Sequence, residues 1–259
     1  MKRLLLIELN KLIPYKTFWI FFGGYAFLYF LIASAFTSLI NHFQTNSIQV
    51  TSTHILAFPN AWQTFSWMGS FFFLLLGLLI ILLLTNEFET RTLRQQIIDG
   101  LSREQYLIGR YLLIVLFSAY ACLIVFSAAI IFGSATQGEP VFSKYSVIFT
   151  GTLFLQGIGL LSFALLVSFI VKKAMLATFI YIAFPIIIEP SFGWFIDTRL
   201  NQGFSNKLPL HVLFSYIPTP QFIMSKTMVL PSPGILVEGS LYVAFMILLT
   251  WFIFKFSDI

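Results

Sequence analysis

The sequence predicts an all-α integral membrane protein with six transmembrane helices, on three grounds. Of its 259 residues, 58% are hydrophobic and only 10% are charged, whereas water-soluble domains carry about 25% charged residues. The apolar residues gather in runs suited to a bilayer, which a helix crosses with about 20 of them. Those runs are continuous rather than alternating. That rejects a β-barrel, the other fold that satisfies its backbone inside hydrocarbon.

The chain reads as a single transmembrane domain, 1–259. Residues 1–16 predict a short interfacial helix. Leu5, Leu9 and Leu12 fall on one face and Arg3, Asn10 and Lys11 elsewhere, the pattern of a helix lying on a membrane. Pro14 ends or kinks it. Six spans follow at 18–40, 65–85, 107–134, 145–171, 174–188 and 235–254, the fifth short and broken by Pro185. Lys2, Arg3 and Ala33-Ser34-Ala35 loosely mimic a signal peptide. The long patterned stretch before residue 18, with Glu8 in its apolar start, argues against cleavage.

Lys and Arg in the loops set the orientation. With the N-terminus inside, the cytoplasmic pieces hold eleven: Lys2, Arg3, Lys11, Lys16, Arg91, Arg94, Arg103, Arg110, Lys172, Lys173 and Lys255. The outer pieces hold four: Lys144, Arg199, Lys207 and Lys226. Both termini are therefore expected in the cytoplasm, with the chain in the inner (cytoplasmic) membrane. The net charge of +5 belongs to this topology and not to nucleic-acid binding. Cys122 is the lone cysteine, so a disulfide framework is excluded.

The most ordered loop is 86–105. Glu87 and Glu89 sit where a new helix would start, and carboxylates favour a helix N-terminus. Glu87 and Arg91 are spaced i,i+4, as are Thr90 and Arg94. Leu93, Ile97 and Ile98 form an apolar stripe, Asp99-Gly100 is a stop signal, and Ser102 with Gln105 makes a capping box. A connector needs only a few residues. A segment of this length with its own helix predicts a docking element rather than a solvated link.

Glu87-Phe88-Glu89-Thr90-Arg91-Thr92-Leu93 and Gly100-Leu101-Ser102-Arg103 resemble the cytoplasmic motif of ABC transporter type-2 permeases. The chain departs from that motif in having no Gly between Arg91 and Thr92, and Asp99-Gly100 where Pro is common. Six spans, an N-terminal interfacial helix and a long segment before the last span are similar as well. The resemblance implies a coupling helix at 86–105 that fits a cleft of a separate ATPase subunit, with Glu87, Glu89, Arg91, Arg94 and Arg103 carrying the contact. It implies a homodimer or heterodimer of permeases, ATP and Mg bound by the partner ATPase, and export as the direction. No cofactor and no catalytic activity are expected on this chain.

Residues 190–234 predict an outer segment rich in Pro and Gly. Its apolar piece 208–217 is about half a span long, a length more often re-entrant or interfacial than spanning, and a plain external loop is the alternative. Short helices here dip back into the outer leaflet in the resembled family. Glu189 and Glu238 flank the segment as possible translocation or outer-gate residues, since ionisable groups at membrane depth are functional candidates. Both alternatively sit at headgroup level.

No G-x-x-x-x-G-K-[ST] phosphate loop and no H-E-x-x-H occur. His42, His54 and His211 are scattered and predict no metal site. Two other readings use the same sequence: a membrane scaffold that anchors a partner complex through loop 86–105, and a membrane enzyme, which would need clustered polar residues near one leaflet.

Overall fold

The computed structural model describes residues 8–45, 55–133, 141–199, 203–220 and 229–256. Lys2, Arg3, Leu5, His54, Ser134 and Lys226 of the sequence reading lie outside them. The architecture is all-helical. A short helical segment at 8–12 (α1) leads into α2 (Lys16–Thr45), α3 (Asn60–Glu89), α4 (Thr92–Ile98), α5 (Arg103–Phe132), α6 (Lys144–Val171), α7 (Ala174–Ala183), α8 (Glu189–Arg199), α9 (Pro209–Phe214) and α10 (Pro233–Phe256). Among the described residues, six helices are long and apolar enough to cross a membrane: α2, α3, α5, α6, the continuous α7–α8 rod Ala174–Arg199, and α10.

The core lies along α3 and α6. Of the most apolar stretch, 72% is buried in α6 and 61% in α3, against 17% in α2 and α10. With lipid as solvent, burying apolar side chains does not drive helices together, so association rests on close packing and interhelical hydrogen bonds. Both are present. The hydroxyls of Tyr29, Tyr120 and Tyr181 donate to the backbone carbonyls of Phe65 (2.7 Å), Phe22 (2.8 Å) and Phe73 (3.3 Å) on neighbouring helices. A carbonyl has a second lone pair beyond its helical bond, so each tyrosine satisfies its own donor without unwinding its partner. Gly77 lets α7 come close, because a Cβ there would overlap the ring of Tyr181.

The fifth helix does not end at residue 188. Pro185 and Pro190 each lack an N–H, which ordinarily breaks a helix. Here a π-turn at Phe184–Ile188 absorbs the missing donors, and the N–H of Glu189 reaches back to the carbonyl of Phe184. The rod continues to Arg199, so Pro190 and Gly193, read as breakers of a loop, lie within α8.

The Gly77 contact predicts that Gly77→Ala lowers the stability of detergent-solubilised protein by about 1–3 kcal/mol, the usual cost of overpacking. Gly151→Ala, where a Cβ meets nothing within 4 Å, is expected to leave the unfolding temperature unchanged. A thermal unfolding series on both variants checks this.

Candidate functional site

The chain is most elaborately organised at the end where α3 meets α5. Helix α3 runs past its apolar stretch through Glu87 and Glu89. The acidic pair therefore closes a helix rather than opening one, which corrects the sequence reading. Carboxylates at a helix C-terminus face an unfavourable macrodipole, and cations from elsewhere must offset them. Thr90 ends α3, its Oγ1 donating to the carbonyl of Asn86 at 2.7 Å. Arg91 then takes a left-handed conformation, φ 56°, which turns the chain into α4.

Helix α4 ends in a Schellman motif. The N–H of Leu101 reaches the carbonyl of Gln96 (3.0 Å), and the N–H of Gly100, at φ +100°, reaches that of Ile97 (3.1 Å). The predicted capping box follows: Ser102 Oγ accepts from the N–H of Gln105 (3.2 Å), while the N–H of Ser102 donates to Gln105 Oε1 (3.1 Å). Leu93 is the buried anchor of α4.

Beneath this turn lies a cluster of four charges. Arg110 is 5% exposed and Glu8 3%. One terminal nitrogen of Arg110 pairs with Glu8 Oε2 at 3.2 Å and the other with Glu87 Oε2. Lys11 Nζ lies 3.2 Å from Glu8 Oε1 and 3.9 Å from Glu87 Oε1. Tyr106, fully buried, donates its hydroxyl to Glu87 at 2.6 Å, and its ring lies under the Arg110 guanidinium, 4.8 Å from ring centre to guanidinium carbon. The cluster balances two acids with two bases, as buried charges require. Lys11 also donates to Gln96 Oε1 on α4 at 2.9 Å. One network thus joins α1, α3, α4 and α5.

The sequence-predicted residues separate into groups. Glu87 faces inward, into the cluster. Glu89, Arg91 and Arg94 are exposed and line, with Phe88, Lys172 and Lys173, a cleft of about 650 Å³ between α4 and the α6–α7 turn. Arg103 donates to the last carbonyls of α10, Phe254 (3.2 Å) and Lys255 (2.6 Å). Toward the other end of the rod, Glu189 is buried and its Oε1 accepts from the N–H groups of Leu210 (2.8 Å) and His211 (3.3 Å). It thereby caps α9, which buries Leu210, Val212 and Leu213 against α6 and α10. Glu238 is exposed in the first turns of α10 and is not brought to Glu189 by any contact among the described residues. Among those residues no cluster of His, Cys, Asp or Glu could hold a metal ion.

A family model described as ABC-2 family transporter protein matches residues 4–194. The chain belongs to this family. Comparison with curated proteins finds no match. The matched stretch of the ABC-2 permease contains the whole charge cluster and the cleft beside α4, and it stops before α9 and α10. With its six apolar helices, the ABC-2 permease is a multi-pass membrane protein.

Glu8, Lys11, Tyr106, Arg110 and Gln96 were not singled out from the sequence as site residues. Two signals were available: Glu8 interrupts an apolar run, and Arg110 lies just inside the third span. The cluster predicts that Arg110→Met, which leaves two buried carboxylates sharing Lys11 alone, lowers stability by about 3–5 kcal/mol. Arg94→Gln, at an exposed site, is expected to change it by less than about 0.5 kcal/mol. Unfolding of the purified variants measures both.

Proposed function

We propose that this ABC-2 chain is the permease subunit of an ATP-driven exporter, in which a separate ATPase subunit binds ATP and Mg. The observation that carries the reading is α4. It is a short helix at one end of the spans, anchored by Leu93, tied to the buried charges through Gln96, and presenting Arg91 and Arg94 outward beside Glu89. Such an element is suited to act as a coupling helix. A push on it acts on α3 and α5 together, because both contribute to the charge cluster, and rigid elements that move together can alternate access across a bundle. Glu87 and Arg103 serve the contact from behind, Glu87 through Arg110 and Arg103 by fixing the end of α10.

In this reading the chain lies in the inner membrane and its α4 end faces the cytoplasm, which the Lys and Arg bias supports, with both termini on that side. α1 lies at the interface. Two permeases, identical or different, form the path. α9 folds back at the outer end, held by Glu189, and Glu189 and Glu238 belong to the outer gate region.

Affinity-tagged full-length permease, solubilised from its native membranes, tests the proposal. An ATP-hydrolysing subunit is expected to co-purify, and Arg91→Glu/Arg94→Glu is expected to reduce that activity at least about tenfold with an unchanged unfolding temperature, since reversed charges at a complementary contact cost several kcal/mol. Absence of any ATPase with the unaltered chain, or full retention with the double variant, rejects it.

A further inference from the structure

The cleft beside α4 has a chemistry that ATPase docking does not require. Arg91, Arg94, Lys172 and Lys173 all line its 650 Å³. Its two carboxylates differ. Glu87 is already neutralised by Arg110 and Lys11, which leaves Glu89 against Arg91, Arg94 and Lys173. Arg91, Arg94 and Lys173 have no carboxylate within ion-pair distance among the described residues. The floor is apolar, with Phe88 and the buried Leu93. One wall is the start of α7, where Met175 is 87% exposed and Leu176 and Phe179, the next large apolar side chains along it, are also exposed. The cleft is therefore cationic at α4 and at the α6–α7 turn, and greasy along α7, part of a rod apolar enough to cross the bilayer.

An occupant must match both halves. A soluble anion leaves the α7 wall exposed, and a neutral lipid leaves Arg91, Arg94 and Lys173 unanswered. We infer that the cleft is a binding site for an anionic phospholipid of the leaflet facing α4, its phosphate among Arg91, Arg94 and Lys173 and its acyl chains along Met175, Leu176 and Phe179. Basic pockets between helices at a membrane surface hold anionic headgroups in this way. The site lies on the α6–α7 turn as well as on α4, so a bound lipid bridges the element that receives the push and the rod that carries Glu189 further along.

The test uses the full-length permease alone in detergent, without an ATPase, so its failure leaves the transporter reading untouched. Native mass spectrometry follows binding of phosphatidylglycerol and of phosphatidylcholine with identical acyl chains. The unaltered protein is expected to prefer phosphatidylglycerol, and Arg91→Gln/Arg94→Gln/Lys173→Gln is expected to lose about fivefold of that preference per charge removed, while still binding phosphatidylcholine as before. Lys16→Gln/Lys255→Gln, which removes charges outside the cleft, is expected to keep the preference. Soluble glycerol phosphate distinguishes the two sources of phosphate: at millimolar concentration it should displace little lipid. Equal affinity for the two lipids in the unaltered protein would overturn the proposal and leave the cleft to an acidic protein partner. So would an equal loss in the Lys16/Lys255 variant, or complete displacement by glycerol phosphate.

Discussion

The pairing of Arg110 with Glu8 and Glu87 is the constraint on which the α4 end of the molecule depends. Arg110 is buried two turns into a membrane helix, where an unpaired guanidinium would be untenable. Its two partners come from the N-terminal segment and from the last turn of α3, and Lys11 brings the number of bases up to that of the acids. A buried ionic cluster adds little net stability over an apolar one, but losing any single partner costs several kcal/mol. The elements that supply its members therefore keep a common register. Lys11 extends the arrangement to α4 through Gln96. A helix of seven residues, too short to be stable alone, is thereby fastened to the spans at Leu93 and at the charges.

Away from this end the bundle is held differently. α3 and α6 pack at the centre, and tyrosine hydroxyls reach across to backbone carbonyls where hydrocarbon offers no other acceptor. The peripheral helices α2, α10 and α7–α8 keep broad apolar faces uncovered, as Trp19, Phe27, Phe179 and Trp194 illustrate. Such faces suit lipid or a second permease equally well. The polar anchors at the far end, Glu189 on α9 and Asp197 on the N–H groups of Phe204 and Ser205, tie short segments to the rod.

Much of this was legible in the sequence because its signals are local. Continuous apolar runs announce helices, Asp99-Gly100 announces a stop, and Ser102 with Gln105 announces a start. What depends on distant partners was not legible. Glu87 and Glu89 resemble the opening of a helix by every local rule. They close α3 instead because Arg110 and Lys11 compensate the first of them there. Pro185 and Pro190 resemble a break, and only the π-turn at Phe184–Ile188, which no residue pattern announces, lets the rod run on. Lys11 and Gln96 lie 85 residues apart, and no spacing rule joins them. Family membership identifies a transporter protein, while the link from α4 to the spans emerges only from the packed structure.

That link can be measured directly by amide hydrogen exchange over residues 92–101 in the purified permease, with and without Lys11→Met. A charge-assisted hydrogen bond contributes about 1.5–3 kcal/mol. If Lys11 fastens α4 to the charge cluster, the substitution speeds exchange in this segment at least about tenfold and leaves the protection of α6 unchanged. Identical exchange over 92–101 in the two proteins would contradict the account, because α4 would then be held without the charges beneath it.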